Sequence, residues 1–464
     1  MITKKSLVAA GLTATLMFAA SAAAQEEKPK PQILFTNVNV FDGKHDKLAE
    51  GMSVLVEGNL IKKVTKGGIE ADANATVIDG GGRTLMPGLI DGHTHLNMTT
   101  GVVGIEKMPW DEIGVRSTVM ARDWLNDGFT TVRDMGGMGG RGLKRAVDAG
   151  HVIGPRIYPS GGWIGQTSGH QDFRVDSMRS MATGNIDSHT QRLGITRTAD
   201  GPERVLEAAR DNLFNGATQL KIMTGGGVAS QNDPLHVMTM TTEEIEAAVK
   251  AAKDFDTYVG THVFSPEGIR RSLEAGVMTI EHGFFIDEDT MMLLKAKDAY
   301  IVAQMTGIAP EQANNPVLTP VSLAKLDLAF KLSGNFVELV KKHKPNFVFQ
   351  TDALGDFGAV AKQRAYEKYR HAELFGNFEM LKAATSTAGK MLQLTGKLNP
   401  YPEGPLGVIQ EGAYADILIV DGNPIEDVTV IGAVDGWFSA PPRKAEVETI
   451  RVIMKDGKIY KNTL

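Results

Sequence analysis

Two histidines one residue apart, His93-Thr94-His95, follow the apolar run Leu85-Met86-Pro87-Gly88-Leu89-Ile90-Asp91. Side chains at i and i+2 of a β-strand share a face, so both imidazoles can reach one metal ion without distorting the backbone. The spacing is weak evidence by itself, because two histidines beside a surface turn look the same in sequence. Four further residues with metal-capable side chains stand at or near the ends of β-branched runs: Lys221, His262, His282 and Asp352. Taken singly, Lys221 fits a snorkelling surface lysine, His262 and His282 fit hydrogen-bonded core histidines, and Asp352 fits a helix N-cap. Taken together they point to one metal site, because the alternative needs the same coincidence at five strand ends. The chain has no cysteine, so any ion sits on nitrogen and oxygen ligands, which suits zinc, manganese or cobalt. The same absence excludes disulfides and a cysteine nucleophile.

The elements that carry these residues must gather them. Leu89 to Asp91, Thr130 to Asp134, Arg156 to Pro159, Gln219 to Met223, Tyr258 to His262, Met278 to His282, Tyr300 to Gln304 and Phe347 to Asp352 read as short strands. They alternate with helical segments such as Thr242 to Phe255. Eight such strands predict a (β/α)8 TIM barrel over residues 85–400, whose C-terminal strand ends share one face. The rival open, doubly wound sheet would place a glycine-rich nucleotide turn where His93-Thr94-His95 stands. Short strands within residues 25–84 and 401–464, among them Ile33 to Asp42 and Ile450 to Lys458, predict a small β-sandwich built from both chain ends.

Ahead of these, Lys4 and Lys5, the apolar stretch Leu7 to Ala20 and the small residues Ser21-Ala22-Ala23-Ala24 read as a secretory signal peptide over residues 1–24, cut after Ala24. The stretch is shorter than the roughly 20 residues a membrane span needs. The expectation is a periplasmic or secreted protein with no membrane span in the mature chain. At 464 residues and 42% hydrophobic content the chain can bury a large core, and its net charge of −6 offers no basic field for nucleic acid. A small molecule or dipeptide is the expected partner.

The constellation resembles the amidohydrolase superfamily of metal-dependent hydrolases over nearly the whole chain after the signal. The resemblance is carried by Pro87-Gly88-Leu89-Ile90-Asp91-Gly92-His93-Thr94-His95, Gly128 to Asp134, Gln219-Leu220-Lys221-Ile222, His262, Ile280-Glu281-His282-Gly283, Thr351-Asp352 and Gly412 to Leu418. Within that superfamily the chain is similar to the branch of imidazolonepropionase-related proteins, prolidase-like dipeptidases and ochratoxin-type amidohydrolases. The resemblance implies two divalent metal ions, with zinc the first expectation. His93, His95 and Asp352 would bind the first, His262 and His282 the second, with Lys221 carboxylated by CO2 and shared between them. It further implies cleavage of an amide or peptide bond by a metal-bridging hydroxide, with Asp352 taking the proton and passing it to the leaving amine. Relatives are often oligomeric, so a homo-oligomer is expected. A cyclic-amide hydrolase or deaminase on the same scaffold is the alternative, and Lys221 weakens the deaminase. A non-catalytic homologue would have no need of all six positions.

Substrate recognition is expected from loops around the metals. Gly161 to Asp172 follows the third strand, where His170, with nearby Arg174, could pair with a substrate carboxylate or merely order its own loop. Gly225 to Ser230 follows Lys221, and the N–H groups of Gly226 and Gly227 could cradle a carboxylate or simply allow a tight turn. Some prolidase-like relatives carry a tyrosine two residues after the fifth-strand histidine, where this chain has Phe264. That loss of a hydroxyl leans towards a more apolar pocket, with Trp163, Phe173 and Phe264 as candidate walls.

Overall fold

The outer strands come from both ends of the chain. β1 (Gln32–Val40), β2 (Ala49–Glu57), β3 (Leu60–Lys66), β4 (Thr76–Asp79) and β5 (Thr84–Pro87) precede a run of parallel strands. That run comprises β6 (Leu89–Thr94), β7 (Phe129–Asp134), β8 (Arg156–Pro159), β9 (Trp163–Gly165), β10 (Thr196–Thr198), β11 (Leu220–Met223), β12 (Val259–Val263), β13 (Thr279–His282), β14 (Tyr300–Ala303) and β15 (Asn346–Phe349). β16 (Ile417–Val420), β17 (Ile450–Lys455) and β18 (Lys458–Asn462) complete the chain. This computed structural model describes residues 30–137, 139–174, 178, 187–230, 232–315 and 318–464. The segment read as a signal peptide lies outside the described residues.

The fold is mixed α/β. Strands β6, β7 and β8 form one parallel sheet, and β10, β9, β11, β12, β13, β14 and β15, in that order, form a second of seven strands. Every residue of β6, β7, β8, β11, β12, β13 and β14 is buried, the pattern of strands covered on both faces. The two sheets meet at both edges. Thr218 N–H donates to Pro159 O at 2.7 Å beside β8 and β11, and Asp352 N–H donates to His93 O at 3.0 Å beside β15 and β6. Helices separate the strands as the alternation predicts. In Thr242–Asp254, Thr241 and Glu244 form a reciprocal capping box, and Ile245, Ala248, Val249 and Ala252 are buried.

The two chain ends meet as expected, and one feature not read from the sequence is that their strands join in a single eight-stranded hydrogen-bonded ladder. The reason is β5, which pairs with β1 on one side and β16 on the other and so fuses the strands of both ends into one ladder. A difference lies at Gly161 to Asp172, expected to be all loop. Trp163–Gly165 is a strand, paired with β10 and β11.

Outer sheet and parallel strands share a core that includes Phe41, Met86, Leu89, Trp124, Phe129, Leu418 and Ile450. A buried charge also joins them. Arg156, at the start of β8, donates to Asp416 at 3.0 Å and Asp456 at 2.6 Å, with its guanidinium 4.0 Å from the centre of the Tyr414 ring.

His371, in the helix Phe357–Phe375, is fully buried and neither ring nitrogen has a hydrogen-bond partner among the described residues. It stacks on Phe347 at 4.9 Å, and burial pushes its pKa down to about 3. The folded protein therefore binds fewer protons than the unfolded chain between about pH 6.5 and about pH 3, so this group's contribution is full above that window and is lost as pH falls through it. Replacing His371 by Leu should remove about 1.4 kcal/mol of the stability difference between pH 7.5 and pH 5.5, read from urea unfolding. Parallel pH dependences in the two proteins would refute the assignment.

Candidate metal centre

Three of the sequence-predicted residues converge on one point. His93 is the next-to-last residue of β6, His95 lies just beyond it, and Asp352 follows β15, with ligand atoms within 4.8 Å of one another. His93 Nε2 and His95 Nε2 are 3.2 Å apart, and Asp352 Oδ1 lies 3.2 Å from His95 Nε2 and 3.7 Å from His93 Nε2. The other ring nitrogens say which atoms carry protons. His93 Nδ1 faces Glu281 Oε2 at 2.9 Å and His95 Nδ1 faces Gly136 O at 3.1 Å. Since both partners only accept, both Nδ1 atoms donate, and the Nε2 lone pairs turn inward with the Asp352 carboxylate. A cluster of acceptors with no donor among them fits a cation.

His262, in β12, and His282, at the end of β13, stand beside this cluster with ring centroids 4.6 Å apart. His262 Nε2 donates to Gly226 O at 3.1 Å and His282 Nδ1 to Gln304 Oε1 at 2.9 Å, so each again keeps one ring nitrogen free. Metal-binding histidines are held in this way through the nitrogen that does not bind the ion. Burial, reinforced by neighbouring positive groups, pushes His93 and His262 well below the ordinary histidine range, and burial takes His282 to about 4. These rings are neutral at pH 7, as ligands must be.

Lys221, in β11, is 1% exposed, and its ammonium has no hydrogen-bond or ion-pair partner among the described residues. Burial lowers its pKa to about 8, against the opposing pull of Glu281 and Asp352. A buried amine that is partly neutral near pH 7 can react with CO2, which turns its nitrogen from a cationic centre into part of an anionic carbamate. Burial raises the Asp352 pKa, but the neighbouring His95, His282 and Lys221 outweigh it and hold the carboxyl below its usual range. Its side chain is 22% exposed while His93 is 1% exposed, making Asp352 the open side of the cluster.

The backbone is bent to deliver these groups. His282 and Asp352 take positive φ of 70° and 47°, a left-handed conformation that costs a non-glycine residue on the order of 1–3 kcal/mol. Beneath them, Arg133 and Thr279 donate to Glu281, fixing the carboxylate that holds His93. Asp91 accepts from His93 N–H and from the N–H and hydroxyl of Thr351, tying the histidine strand to the residue before Asp352.

The loop residues take up different roles from those expected. Gly227 N–H donates to Asp233 Oδ2 at 2.7 Å, so the carboxylate it holds is the chain's own, and Gly226 offers the site a carbonyl, not an N–H. The Arg174 guanidinium is closed on both oxygens of Asp172. His170 lies flat on His262 with centroids 4.0 Å apart, its Nδ1 held by Ser230 and Asp233 at 2.8 and 2.9 Å. Gly227 makes this possible, since a Cβ there would lie 2.0 Å from His170 Cε1. Phe264 stacks on Phe285 and His282, and Trp163 packs edge-on against His95 and Phe173, giving the cluster aromatic flanks.

Lys325 and Asp233 were not legible as site residues. Lys325, in the helix Pro320–Leu332, donates to the carbonyls of Gly227, Ser230 and Asp233 at 2.8–2.9 Å and so locks the loop that supports His262 and His170. A lysine among exposed apolar residues carries no sequence signal of such a role.

The sequence pattern of the amidohydrolase family matches residues 84–460. Ochratoxinase of Aspergillus niger is 29% identical over 389 residues, covering 81% of this chain and 75% of that protein. Among solved structures, an amidohydrolase is 35% identical with a TM-score of 0.82, covering 93% of this chain and 100% of that one. A prolidase solved with N-methylphosphonate-L-proline is 32% identical with a TM-score of 0.81 and the same coverage.

Replacing Lys325 by Met removes three charge-assisted hydrogen bonds, each worth about 1.5–3 kcal/mol. Hydrogen exchange at Gly225 to Ser230 should then quicken by about tenfold or more, with the amides of β12 and β13 unchanged. Exchange of the loop at the original rate would show that Lys325 does not lock it.

Proposed function

The chain belongs to the amidohydrolase family and is a hydrolase acting on C–N bonds, and from that premise we propose that it cleaves an amide or peptide bond to a C-terminal amino acid. The substrates are Xaa-Pro or other dipeptides, N-acyl amino acids and ochratoxin-type amides. The observation that carries this reading is the acceptor-only cluster of His93 Nε2, His95 Nε2 and Asp352 Oδ1 beside His262, His282 and the unpartnered Lys221 amine.

His93, His95 and Asp352 would hold one divalent cation and His262 and His282 a second, with Lys221, carboxylated, between them; when bound, such ions supply a readily ionised water and polarise the scissile carbonyl. The protein's own groups do the rest. Asp352, the most open of the set, takes the proton at its carboxylate and delivers it to the leaving amine nitrogen, which would otherwise depart as an unstable anion. Glu281 and the Gly136 and Gly226 carbonyls keep three imidazoles in one tautomer throughout. His170, with Nε2 unpartnered among the described residues and Nδ1 anchored by Asp233, would meet a substrate carboxylate through Nε2–H of its imidazolium form. Phe264, Phe285, Trp163 and Phe173 favour apolar or aromatic side chains on the substrate.

The reading extends to architecture and location. The parallel strands belong to a (β/α)8 barrel over residues 85–400, flanked by residues 25–84 and 401–464. Residues 1–24 direct export, so the enzyme works on amides outside the cytoplasm, as a homo-oligomer.

Protein reconstituted with zinc and bicarbonate should hydrolyse members of a panel of Xaa-Pro and other dipeptides, N-acyl aromatic amino acids and ochratoxin. Lys221→Ala should lose nearly all turnover, and Asp352→Asn should lose about 100-fold or more while retaining much of its metal. Activity confined to cyclic imides, or turnover indifferent to the Lys221 change, would overturn the proposal.

A further inference from the structure

Gln304, the residue after β14, stands between two residues of the metal centre. Its Oε1 accepts from His282 Nδ1 at 2.9 Å and its Nε2 donates to Asp352 Oδ2 at 3.1 Å. His282 Nδ1 and Asp352 Oδ2 are 4.0 Å apart, beyond direct hydrogen bonding, so the amide is their link. Gln304 is itself held from two directions. Gln350, fully buried, donates to the same Oε1. Glu367, fully buried in the helix Phe357–Phe375, accepts the N–H groups of Met305 and Thr306 at 2.6 and 2.8 Å and fixes the chain immediately beyond Gln304.

The position calls for an amide. His282 presents an N–H and Asp352 a carboxylate, so the group between them must accept on one side and donate on the other. A primary amide does both without titrating, a carboxylate would accept on both sides, and a hydrocarbon would do neither. The need is acute because His282, the last residue of β13, and Asp352, beyond the end of β15, both sit on left-handed backbone, with φ of 70° and 47°. The amide leaves Asp352 Oδ1 facing His95 and leaves His282 Nε2 free of this network.

We propose that Gln304 is a positioning residue for the reaction, setting the Asp352 carboxylate and the His282 imidazole in one mutual orientation through its two-sided amide. This rests on the reading of the site as an amide hydrolase. It adds a contribution from the end of β14, which supplies none of the residues assigned above to metal or proton transfer.

The test uses full-length Gln304→Met and the isosteric Gln304→Glu, with zinc affinity measured by chelator competition and kcat and KM measured on whichever amide the unaltered protein cleaves. In Gln304→Met, kcat should fall about 10–100-fold with KM within about twofold and the thermal midpoint within a few degrees, and zinc should be held about tenfold more weakly. Gln304→Glu should show the same pattern with a deeper loss, since its carboxylate faces that of Asp352, and it decides the matter if the Met variant does not fold. Unchanged kcat and zinc affinity in a folded variant would overturn the proposal, as would a loss of kcat that only follows a fallen thermal midpoint. If the unaltered protein cleaves no amide, the functional reading fails on its own, and the zinc titration still decides the role of Gln304.

Discussion

The first and last of the parallel strands are joined by one buried carboxylate. Asp91 takes the N–H of His93 at 3.1 Å, the N–H and hydroxyl of Thr351 at 3.1 and 2.7 Å, and the indole N–H of Trp124 at 3.2 Å. One carboxylate thus satisfies four donors at once, and each buried donor left unpaired costs about 1–3 kcal/mol. Burial pushes the Asp91 pKa up to about 6, the electrostatic burden of placing an anion there. In return, the strand carrying His93 and His95 and the turn carrying Asp352 are set against each other before any ligand arrives. The acceptor cluster is thus preorganised by the same contact that joins the strands.

Around that seam, polar tethers radiate outward. Glu281 holds His93, Arg133 and Thr279 hold Glu281, and Gly226 holds His262 within a loop that Asp233 and Lys325 keep closed. Few of these groups reach solvent, so each strengthens the next in a low-dielectric interior. The neutral imidazoles follow from the same burial, which penalises a charged ring more than any nearby carboxylate rewards it.

The eight strands expected from sequence appear within three residues of their observed bounds, because β-branched, mostly buried runs bounded by turns leave little alternative. His93, His95, Lys221, His262, His282 and Asp352 were legible because their side chains are chemically rare at strand ends. The rest was hidden for physical reasons. β9 and β10 are three-residue strands whose pairing depends on neighbours distant in sequence. Gln304 titrates nothing and binds no metal, so its type carries no signal until His282 and Asp352 are seen on either side of it. Gly226 and Gly227 advertised flexibility, but whether an N–H or a carbonyl faces the site is decided by φ and ψ, which glycine leaves undetermined. The pairing order of the strands of both ends was not legible, because alternation shows which face is buried, not which strand pairs with which.

The shared outer sheet also constrains the order of assembly. β5 runs through the single residue Gly88 into β6, and Gly88 N–H donates to Asp416 O, just before β16. The partner strand of β5 is therefore made more than three hundred residues after it. Until then β5 presents an open edge, and the histidine pair that follows it lacks its anchor. Such long-range pairing makes completion late and slow. The histidine pair thus gains the support of the outer sheet only once residues more than three hundred positions further along the chain have folded back onto β5.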